Sequence, residues 1–242
     1  MAMNFKIGIV VADVDEYKSL GEYAEKGKYN KFTFLGRTGH SFWVNCGQNS
    51  AEVISVLCGI GKVNAAAAAM HLVDIGCDII LNYGLSGGIN KVTRGELVVC
   101  DSFLEHDFDL TVIGYKPCEK PLQKYIYQAD EGLIELFKSQ RPNVKSGMAV
   151  TGDKFICDSD LRNSLKNDFG AMSCDMETAA IAYVCDFSGI PFFSLRRISD
   201  DAGSEAVNDY QNMNAADDTL LSDYIINFIR SIINSKNPDD HD

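Results

Sequence analysis

The sequence predicts a single-domain α/β protein, and three observations indicate this fold class. Largely apolar runs at residues 5–11, 78–83 and 192–195 have the composition of strands buried on both faces of a sheet. Runs with helical spacing of apolar residues alternate with them, at residues 63–75 and from Glu177 to the break at 189–191. Small and acidic residues gather where the apolar runs end, which is where α/β sheets bind ligands.

The composition sets limits on size and on partners. The chain has 242 residues, 46% of them hydrophobic and 23% charged, which suits one sizeable soluble domain. Its formal net charge of −12 argues against nucleic acid or an anionic membrane as the partner. No apolar run approaches the length of a transmembrane helix, and residues 1–11 lack the features of a signal peptide. We therefore expect a cytoplasmic location.

Cysteine and histidine usage gives no sign of a metal or a disulfide framework. The eight cysteines are scattered, mostly inside apolar segments, and no C-x-x-C motif occurs. The four histidines have no metal-ligand spacing either. We expect reduced core thiols and no metal site.

The elements follow in order from the first strand at residues 5–11. An acidic helix start at residues 13–16 leads into a helix through Glu25, and further strands are predicted at 32–35, 41–46 and 52–58. Helix 63–75 carries an alanine run that allows close packing against a sheet. The strand at 78–83 ends in a small-residue loop, 84–88, whose backbone N–H groups can approach a ligand closely.

The second half continues the pattern and closes with a helix. Strands are predicted at 96–103 and 148–152, with helices at 133–139 and 217–233. We assign residues 1–234 to one domain, and residues 235–242 to a disordered acidic tail.

The stretch at residues 174–201 places two carboxylates near one crevice. Glu177 is predicted in the first turn of a helix, and Asp200 follows the next buried strand at its carboxyl end. Each acid alone is more often structural, Glu177 as a helix-start acid and Asp200 as a turn residue. Only their combination with the surrounding motif indicates a functional site.

That motif resembles a known superfamily. Residues 176–182 read Met-Glu-x-x-Ala-Ile-Ala, and residues 196–200 read Arg-x-Ile-Ser-Asp. Together with Gly-Ile-Gly-Lys-Val-Asn-Ala at 59–65 and Gly-Asp-x-Phe-Ile at 152–156, the pattern is similar to nucleoside phosphorylases and nucleosidases. It looks most like the 5′-methylthioadenosine/S-adenosylhomocysteine nucleosidases, and it extends from Phe5 to about Tyr210.

The resemblance implies a fold and a catalytic set. The fold would be a three-layer sandwich with a central twisted mixed β-sheet flanked by helices. Asp200 would protonate the purine, Glu177 would bind the ribose hydroxyls, and Glu16 would accept a proton from the attacking water. The expected substrate-binding residues are Ser86, Gly87, Phe155, Ile156, Met176, Arg196, Ser199, Tyr210, Ile60, Asp13 and Leu85. No metal or organic cofactor is implied.

Arg196 has two interpretations. At the end of the strand that carries Asp200, it can orient the water or Glu16, or it can serve as a structural ion-pair partner. The sequence leaves both open.

The resemblance also implies a second copy of the chain. The segment around residues 106–121 matches one that reaches into the neighbouring subunit's pocket in the nucleosidases. Ile113, Tyr115 and Pro121 would then contact the 5′ substituent of the nucleoside across a homodimer interface. A plain surface turn is the alternative.

Several positions depart from the pattern of the family, among them Ile113, which conservatively replaces a common Phe. Asp13 stands where relatives usually carry a methionine near the ribose and its 5′ group. Leu85 replaces a usual Ser or Thr, and Ser86 replaces a usual Ala. The identity of the 5′ substituent therefore stays open.

Two other functions compete with hydrolysis. A purine nucleoside phosphorylase would use phosphate in place of water, but residues 11–23 contain no arginine to grip phosphate, and Glu16 would repel it. A nucleoside-binding protein without turnover would not need both Glu16 and Asp200, yet both are present.

Overall fold

The structure is a computed structural model that describes residues 5–212 and 215–236. Ten strands form one mixed sheet in this part of the chain. They are β1 (Lys6–Val11), β2 (Tyr29–Phe34), β3 (Arg37–Cys46), β4 (Asn49–Leu57), β5 (Ile79–Gly88), β6 (Leu97–Glu105), β7 (Ile126–Gln128), β8 (Lys145–Thr151), β9 (Ser173–Asp175) and β10 (Phe192–Asp200).

Four parallel strands form the part of the sheet that carries the site. β1 lies between β4 and β5 and pairs with both in parallel, and β5 pairs in parallel with β10. β10 also pairs with β6, β6 with β8, β8 with β9, and β9 returns to β5. These five strands therefore close into a ring beside the open part of the sheet.

Helices cover both faces of the sheet. They are α1 (Val14–Glu25), α2 (Lys62–Asp74), α3 (Glu131–Gln140), α4 (Ser159–Phe169), α5 (Thr178–Ser188), α6 (Ala206–Gln211) and α7 (Ala215–Lys236). Alternate residues of β1 point to opposite layers, because successive side chains of a strand face opposite sides. Ile7 and Ile9 pack with α1, α3 and α7, whereas Val10 packs with α2 and α5. The predicted three-layer arrangement is confirmed.

Alanines let α2 and α5 approach each other closely. Ala65, Ala68 and Ala69 of α2 lie in one buried cluster with Ala179 and Ala180 of α5. Small side chains at a helix interface shorten the distance between the axes, so the N-termini of both helices reach the same edge of the sheet.

Several strands and helices extend beyond their predicted ends. Residues 84–88 are not a loop, because β5 continues through Gly88 by pairing with β10 and β9. β10 continues to Asp200, so this acid lies on the strand itself and not in a turn. α7 runs to Lys236, two residues into the predicted tail, and residues 237–242 lie outside the described residues. The helices α4 and α6 were not predicted.

The eight cysteines are free thiols, and six of them are buried. Cys157 is exposed, directly after Ile156 in the chain, and Cys46 is half-buried. Among the described residues, no group of His, Cys, Asp and Glu side chains is arranged to hold a metal ion. No helix in this part of the chain has the length and apolar character needed to cross a membrane.

Candidate active site

A pocket of about 370 Å³ opens at the carboxyl ends of β1, β5 and β10. Its position follows the general rule for ligand sites in α/β sheets. Thirteen of the predicted site residues line it: Asp13, Glu16, Ile60, Leu85, Ser86, Gly87, Phe155, Ile156, Met176, Glu177, Ser199, Asp200 and Tyr210. The sequence did not single out four further lining residues, Ala12, Lys154, Cys174 and Asp175.

Asp200 is buried in the pocket wall and held by two hydrogen bonds. Its Oδ2 accepts from the Ser199 hydroxyl at 2.6 Å, and its Oδ1 accepts from the Ala202 backbone N–H at 2.8 Å. Ser199 also donates to the Ser86 carbonyl at 3.2 Å. Burial raises the pKa of Asp200, and the nearby Asp201 and Asp209 raise it further. Asp200 is therefore a candidate proton donor.

Glu177 caps α5 and lies against the start of α2. Its Oε1 accepts a hydrogen bond from the Gly61 backbone N–H at 2.8 Å. Only 6% of the residue is exposed. Burial and the charge of Asp175 raise the pKa of Glu177 to about 7. The prediction of a helix-start acid facing the crevice is correct, and Glu177 is the N-cap residue rather than part of the first turn.

Glu16 lies in the first turn of α1 and faces the end of β5. Its Oε1 accepts from the Leu85 backbone N–H at 2.7 Å. Burial raises the pKa of Glu16 to about 8, although Arg196 and the Leu85 hydrogen bond act in the opposite direction. A β-carbon at Gly84 would lie 2.8 Å from Glu16 Oε2 and 2.6 Å from Arg196 Nη1. Only glycine at this position allows both charged groups to approach the strand.

Arg196 points behind the pocket and does not line it. Its Nη2 lies 3.2 Å from Asp175 Oδ2 and donates to Asn82 Oδ1 at 2.6 Å and to the Thr178 hydroxyl. The side chain is 2% exposed. Of its two predicted roles, the structure shows the ion pair, and Arg196 reaches Glu16 only through its charge.

Asp175 organises the start of α5, a role that was not predicted from the sequence. Its Oδ1 accepts from the Glu177 and Thr178 backbone N–H groups at 3.1 and 3.0 Å and from the Thr151 hydroxyl at 2.7 Å. Such bonds satisfy the free N–H groups of a helix start. An Asp two residues before the helix cap was the available signal. Asp175 and Arg196 together fix the position of Glu177.

Two aromatic side chains form an apolar wall at the mouth of the pocket. The rings of Phe155 and Tyr210 pack edge to face with centroids 5.7 Å apart. Phe155 is 39% exposed and Tyr210 is 37% exposed, so a flat ligand can reach both. Ile156 is buried beneath them and Met176 is half-buried nearby. This wall is suited to stacking on a planar base.

Three of the departures from the family pattern, at Asp13, Leu85 and Ser86, line the pocket. Asp13 caps α1, with its Oδ1 accepting from the Asp15 backbone N–H at 2.8 Å. Leu85 supplies its backbone N–H to Glu16, and its side chain packs against the core. The Ser86 hydroxyl is buried and has no hydrogen-bond partner among the described residues. It is thus available to a ligand.

Ile113, Tyr115 and Pro121 do not line the pocket of their own chain. They lie in the segment between β6 and β7, which contains a short 3₁₀ turn at Thr111–Ile113. Ile113 is 66% exposed and Tyr115 is 37% exposed. Lys62 anchors the start of this segment through Asp107 at 2.6 Å. The segment is exposed at the surface of the chain.

The fold and the site define an α/β protein with a small-molecule pocket, in which three buried carboxylates of raised pKa face an aromatic wall. Residues 6–230 match the family model of the phosphorylase superfamily, and the chain belongs to this superfamily.

The most similar relatives include two differently named kinds of nucleosidase. The 5′-methylthioadenosine/S-adenosylhomocysteine nucleosidase of Tolumonas auensis is 37% identical over 168 residues, which is 66% of this chain and 73% of the relative. The aminodeoxyfutalosine nucleosidase of Campylobacter jejuni is 32% identical over 165 residues, 66% of this chain and 72% of the relative.

A solved structure shares the whole fold. The 5′-methylthioadenosine/S-adenosylhomocysteine nucleosidase of Streptococcus pneumoniae, determined with a transition-state inhibitor, is 26% identical with a TM-score of 0.84. The match covers 94% of this chain and all of that one.

Proposed function

We propose that this protein is a nucleosidase that hydrolyses the N-glycosidic bond of 5′-methylthioadenosine, S-adenosylhomocysteine or a related adenine nucleoside. The products are adenine and the 5′-substituted ribose. One observation carries the proposal: Glu16, Glu177 and Asp200, three buried carboxylates, line a single pocket beside the Phe155–Tyr210 wall. The relatives named as nucleosidases support the same reaction.

Asp200 acts on the leaving group. Adenine is a poor leaving group, so its N7 must be protonated or hydrogen-bonded as the bond to the sugar breaks. Burial raises the pKa of Asp200, which favours the protonated form that the leaving group needs. Ser199 and the Ala202 N–H hold the carboxyl in place, while Phe155 and Tyr210 hold the base beside it.

Glu177 and Glu16 act on the sugar and the water. The transition state carries positive charge on the ribose, and Glu177 stabilises it through the oxygen that is not bonded to Gly61. Glu16 accepts a proton from water as the water oxygen attacks the anomeric carbon. Its pKa of about 8 makes its carboxylate a stronger base than an ordinary glutamate.

Water rather than phosphate is the nucleophile in this proposal. Five acidic side chains line the pocket, and Lys154 is the only basic one among the described lining residues. A phosphate ion would meet the Asp13 carboxylate, so Coulomb repulsion disfavours a phosphorylase.

The direct test is release of adenine from methylthioadenosine by the purified protein, in phosphate-free buffer and again with phosphate. We expect equal rates in both buffers. Release that needs phosphate, with formation of a sugar 1-phosphate, would instead identify a phosphorylase. No release from any adenine nucleoside, with binding retained, would indicate a binding protein.

We further infer a homodimer that works in the cytoplasm, in salvage of the methionine-derived part of its substrates. The exposed apolar side chains Val112, Ile113, Tyr115 and Leu122 support the dimer, since a large apolar patch usually marks an interface. With Pro121, they would complete the apolar side of a second copy's pocket.

The dimer is tested with Ile113→Asp, and Val207→Asp on α6 is an exposed apolar control outside this segment. We expect Ile113→Asp to sediment as a monomer and to raise KM for methylthioadenosine, and the control to do neither. A monomeric wild-type protein would overturn this part of the proposal.

A further inference from the structure

We propose that the pocket selects nucleosides whose 5′ substituent is a zwitterionic amino acid, with Asp13 binding the ammonium group and Arg37 the carboxylate. This inference rests on the proposed function and identifies S-adenosylhomocysteine, rather than methylthioadenosine, as the preferred substrate. It follows from the order of the strands and from two charged side chains that have no ion-pair partner among the described residues.

The strand order gives the direction in which the substrate lies. Asp200 ends β10, and moving across the sheet one meets the ends of β5, β1 and β4. Neighbouring strands are about 4.8 Å apart, so the end of β4 is roughly 14 Å from that of β10. With the base at Asp200 and the sugar at Glu16 and Glu177, the 5′ group points towards Asp13 and Ile60.

Asp13 supplies a negative charge at this far end. It lines the pocket and is half-buried. Its Oδ1 is used to cap α1 through the Asp15 N–H, whereas its Oδ2 accepts no hydrogen bond from any described residue. The charge of Asp13 also raises the pKa of Glu16, so it acts inside the pocket.

Arg37 supplies a positive charge at the same end. It is the first residue of β3 and its side chain lies over Gly59, which follows β4. A β-carbon at Gly59 would lie only 2.6 Å from Arg37 Cζ, and the glycine has a φ of +87°. The neighbouring residue, Ile60, lines the pocket, so the exposed Arg37 side chain lies beside the pocket lining without being part of it.

Asp13 and Arg37 are not paired with each other. No ion pair within 4.0 Å joins them, and Arg37 has no hydrogen-bond or ion-pair partner among the described residues. The charges of Arg37, Glu16 and Glu177 all affect the pKa of the Cys58 thiol, which directly precedes Gly59.

An amino-acid group matches this pair because it carries an ammonium and a carboxylate on one carbon. A methylthio group would leave both charges without partners. A purely anionic substituent would be repelled by Asp13, and a purely cationic one by Arg37. A planar guanidinium also binds a carboxylate with two parallel hydrogen bonds.

The test compares kcat/KM for S-adenosylhomocysteine and methylthioadenosine in wild type, Asp13→Asn and Arg37→Gln. Asparagine caps a helix as well as aspartate does, so Asp13→Asn removes the charge and keeps the fold. The ratio of the two kcat/KM values should fall by about tenfold in each variant, equivalent to a loss of ~1.4 kcal/mol of binding. The ratio removes any effect of Asp13 on Glu16 that both substrates share.

Two analogues separate the two contacts. Asp13→Asn should lower kcat/KM for the aminopropylthio analogue, which lacks the carboxylate. It should not lower kcat/KM for the carboxypropylthio analogue, which lacks the amine. Arg37→Gln should do the reverse. The controls Asp15→Asn and Lys28→Gln remove exposed charges outside the pocket and should leave every ratio unchanged.

The inference fails if each variant changes kcat/KM by the same factor for all substrates, or if the wild-type protein does not prefer S-adenosylhomocysteine. Failure of the proposed function is distinguishable, because no adenine would then be released from either nucleoside. In that case calorimetric dissociation constants of the same four compounds, measured with the same variants, still decide the inference.

Discussion

Glu177 Oε1 accepts a hydrogen bond of 2.8 Å from the backbone N–H of Gly61, and this bond joins the N-termini of two helices. Glu177 is the N-cap of α5 and Gly61 is the N-cap of α2. The bond fixes one carboxylate oxygen and directs the other to the pocket. The close packing of α2 on α5 therefore sets the position of the group that faces the sugar.

Asp200→Asn should retain nucleoside binding and lose most turnover. The amide has nearly the same shape and can keep its contacts to Ser199 and Ala202, but it cannot deliver a proton. We expect kcat to fall by about 10²- to 10⁴-fold, the usual contribution of acid–base catalysis. Adenine release and a dissociation constant for methylthioadenosine measure the two properties. Full activity would refute the assignment of the acid, and Asp186→Asn, which only disrupts a surface ion pair with Lys124, is the matched control.

Glu16→Gln should abolish hydrolysis and make the free protein more stable at high pH. The pKa of Glu16 in the folded protein is about 8. That lies above its unfolded value, so its contribution to stability is complete below pH ~4.5 and is lost as the pH rises to ~8. Glutamine removes this loss, a difference on the order of 5 kcal/mol.

Urea unfolding at several pH values measures this difference. The gap between Glu16→Gln and wild type should widen from pH 5 to pH 8. Glu22→Gln, an exposed acid on the same helix, should give no such gap. A gap that does not depend on pH would contradict the assigned protonation of Glu16.

Phe155→Ala should weaken substrate binding more than catalysis. An aromatic ring stacked on a base contributes about 1–3 kcal/mol, so KM should rise by roughly tenfold with a smaller change in kcat. Phe187→Ala removes a ring that is 58% exposed and outside the pocket, and KM should then be unchanged. Steady-state kinetics with methylthioadenosine distinguishes the two variants.

Arg196→Met should destabilise the protein strongly. Removing one partner of a buried ion pair leaves Asp175 charged and unpaired, at a cost of about 3–5 kcal/mol. Arg94→Met breaks the exposed pair with Asp209 and should cost less than ~1 kcal/mol. Denaturant unfolding of both variants gives the comparison. Equal losses would mean that the Arg196–Asp175 pair is not what holds the start of α5.

The sequence was sufficient to predict the strands that are buried on both faces. Their apolar runs have no other stable environment, as at residues 5–11. The positions of Glu16 and Asp200 in one pocket came from the resemblance to known motifs, because the acids alone are ordinary. Neither the apolar runs nor the motifs predicted that β5 continues through residues 84–88. Small residues favour a loop, and these five form a strand only because they pair with β9 and β10. The contact of Arg37 with Gly59 was not predicted either, because it depends on the pairing of β3 with β4.

The distribution of thiols makes the native protein suitable for selective labelling. Burial raises the pKa of Cys58, Cys77 and Cys100, which protects them from alkylation because the thiolate is the reactive form. Cys157 is exposed and directly follows Ile156 of the pocket wall. A fluorophore attached there would sit at the entrance used by the base, and its emission would report nucleoside binding without any engineered residue.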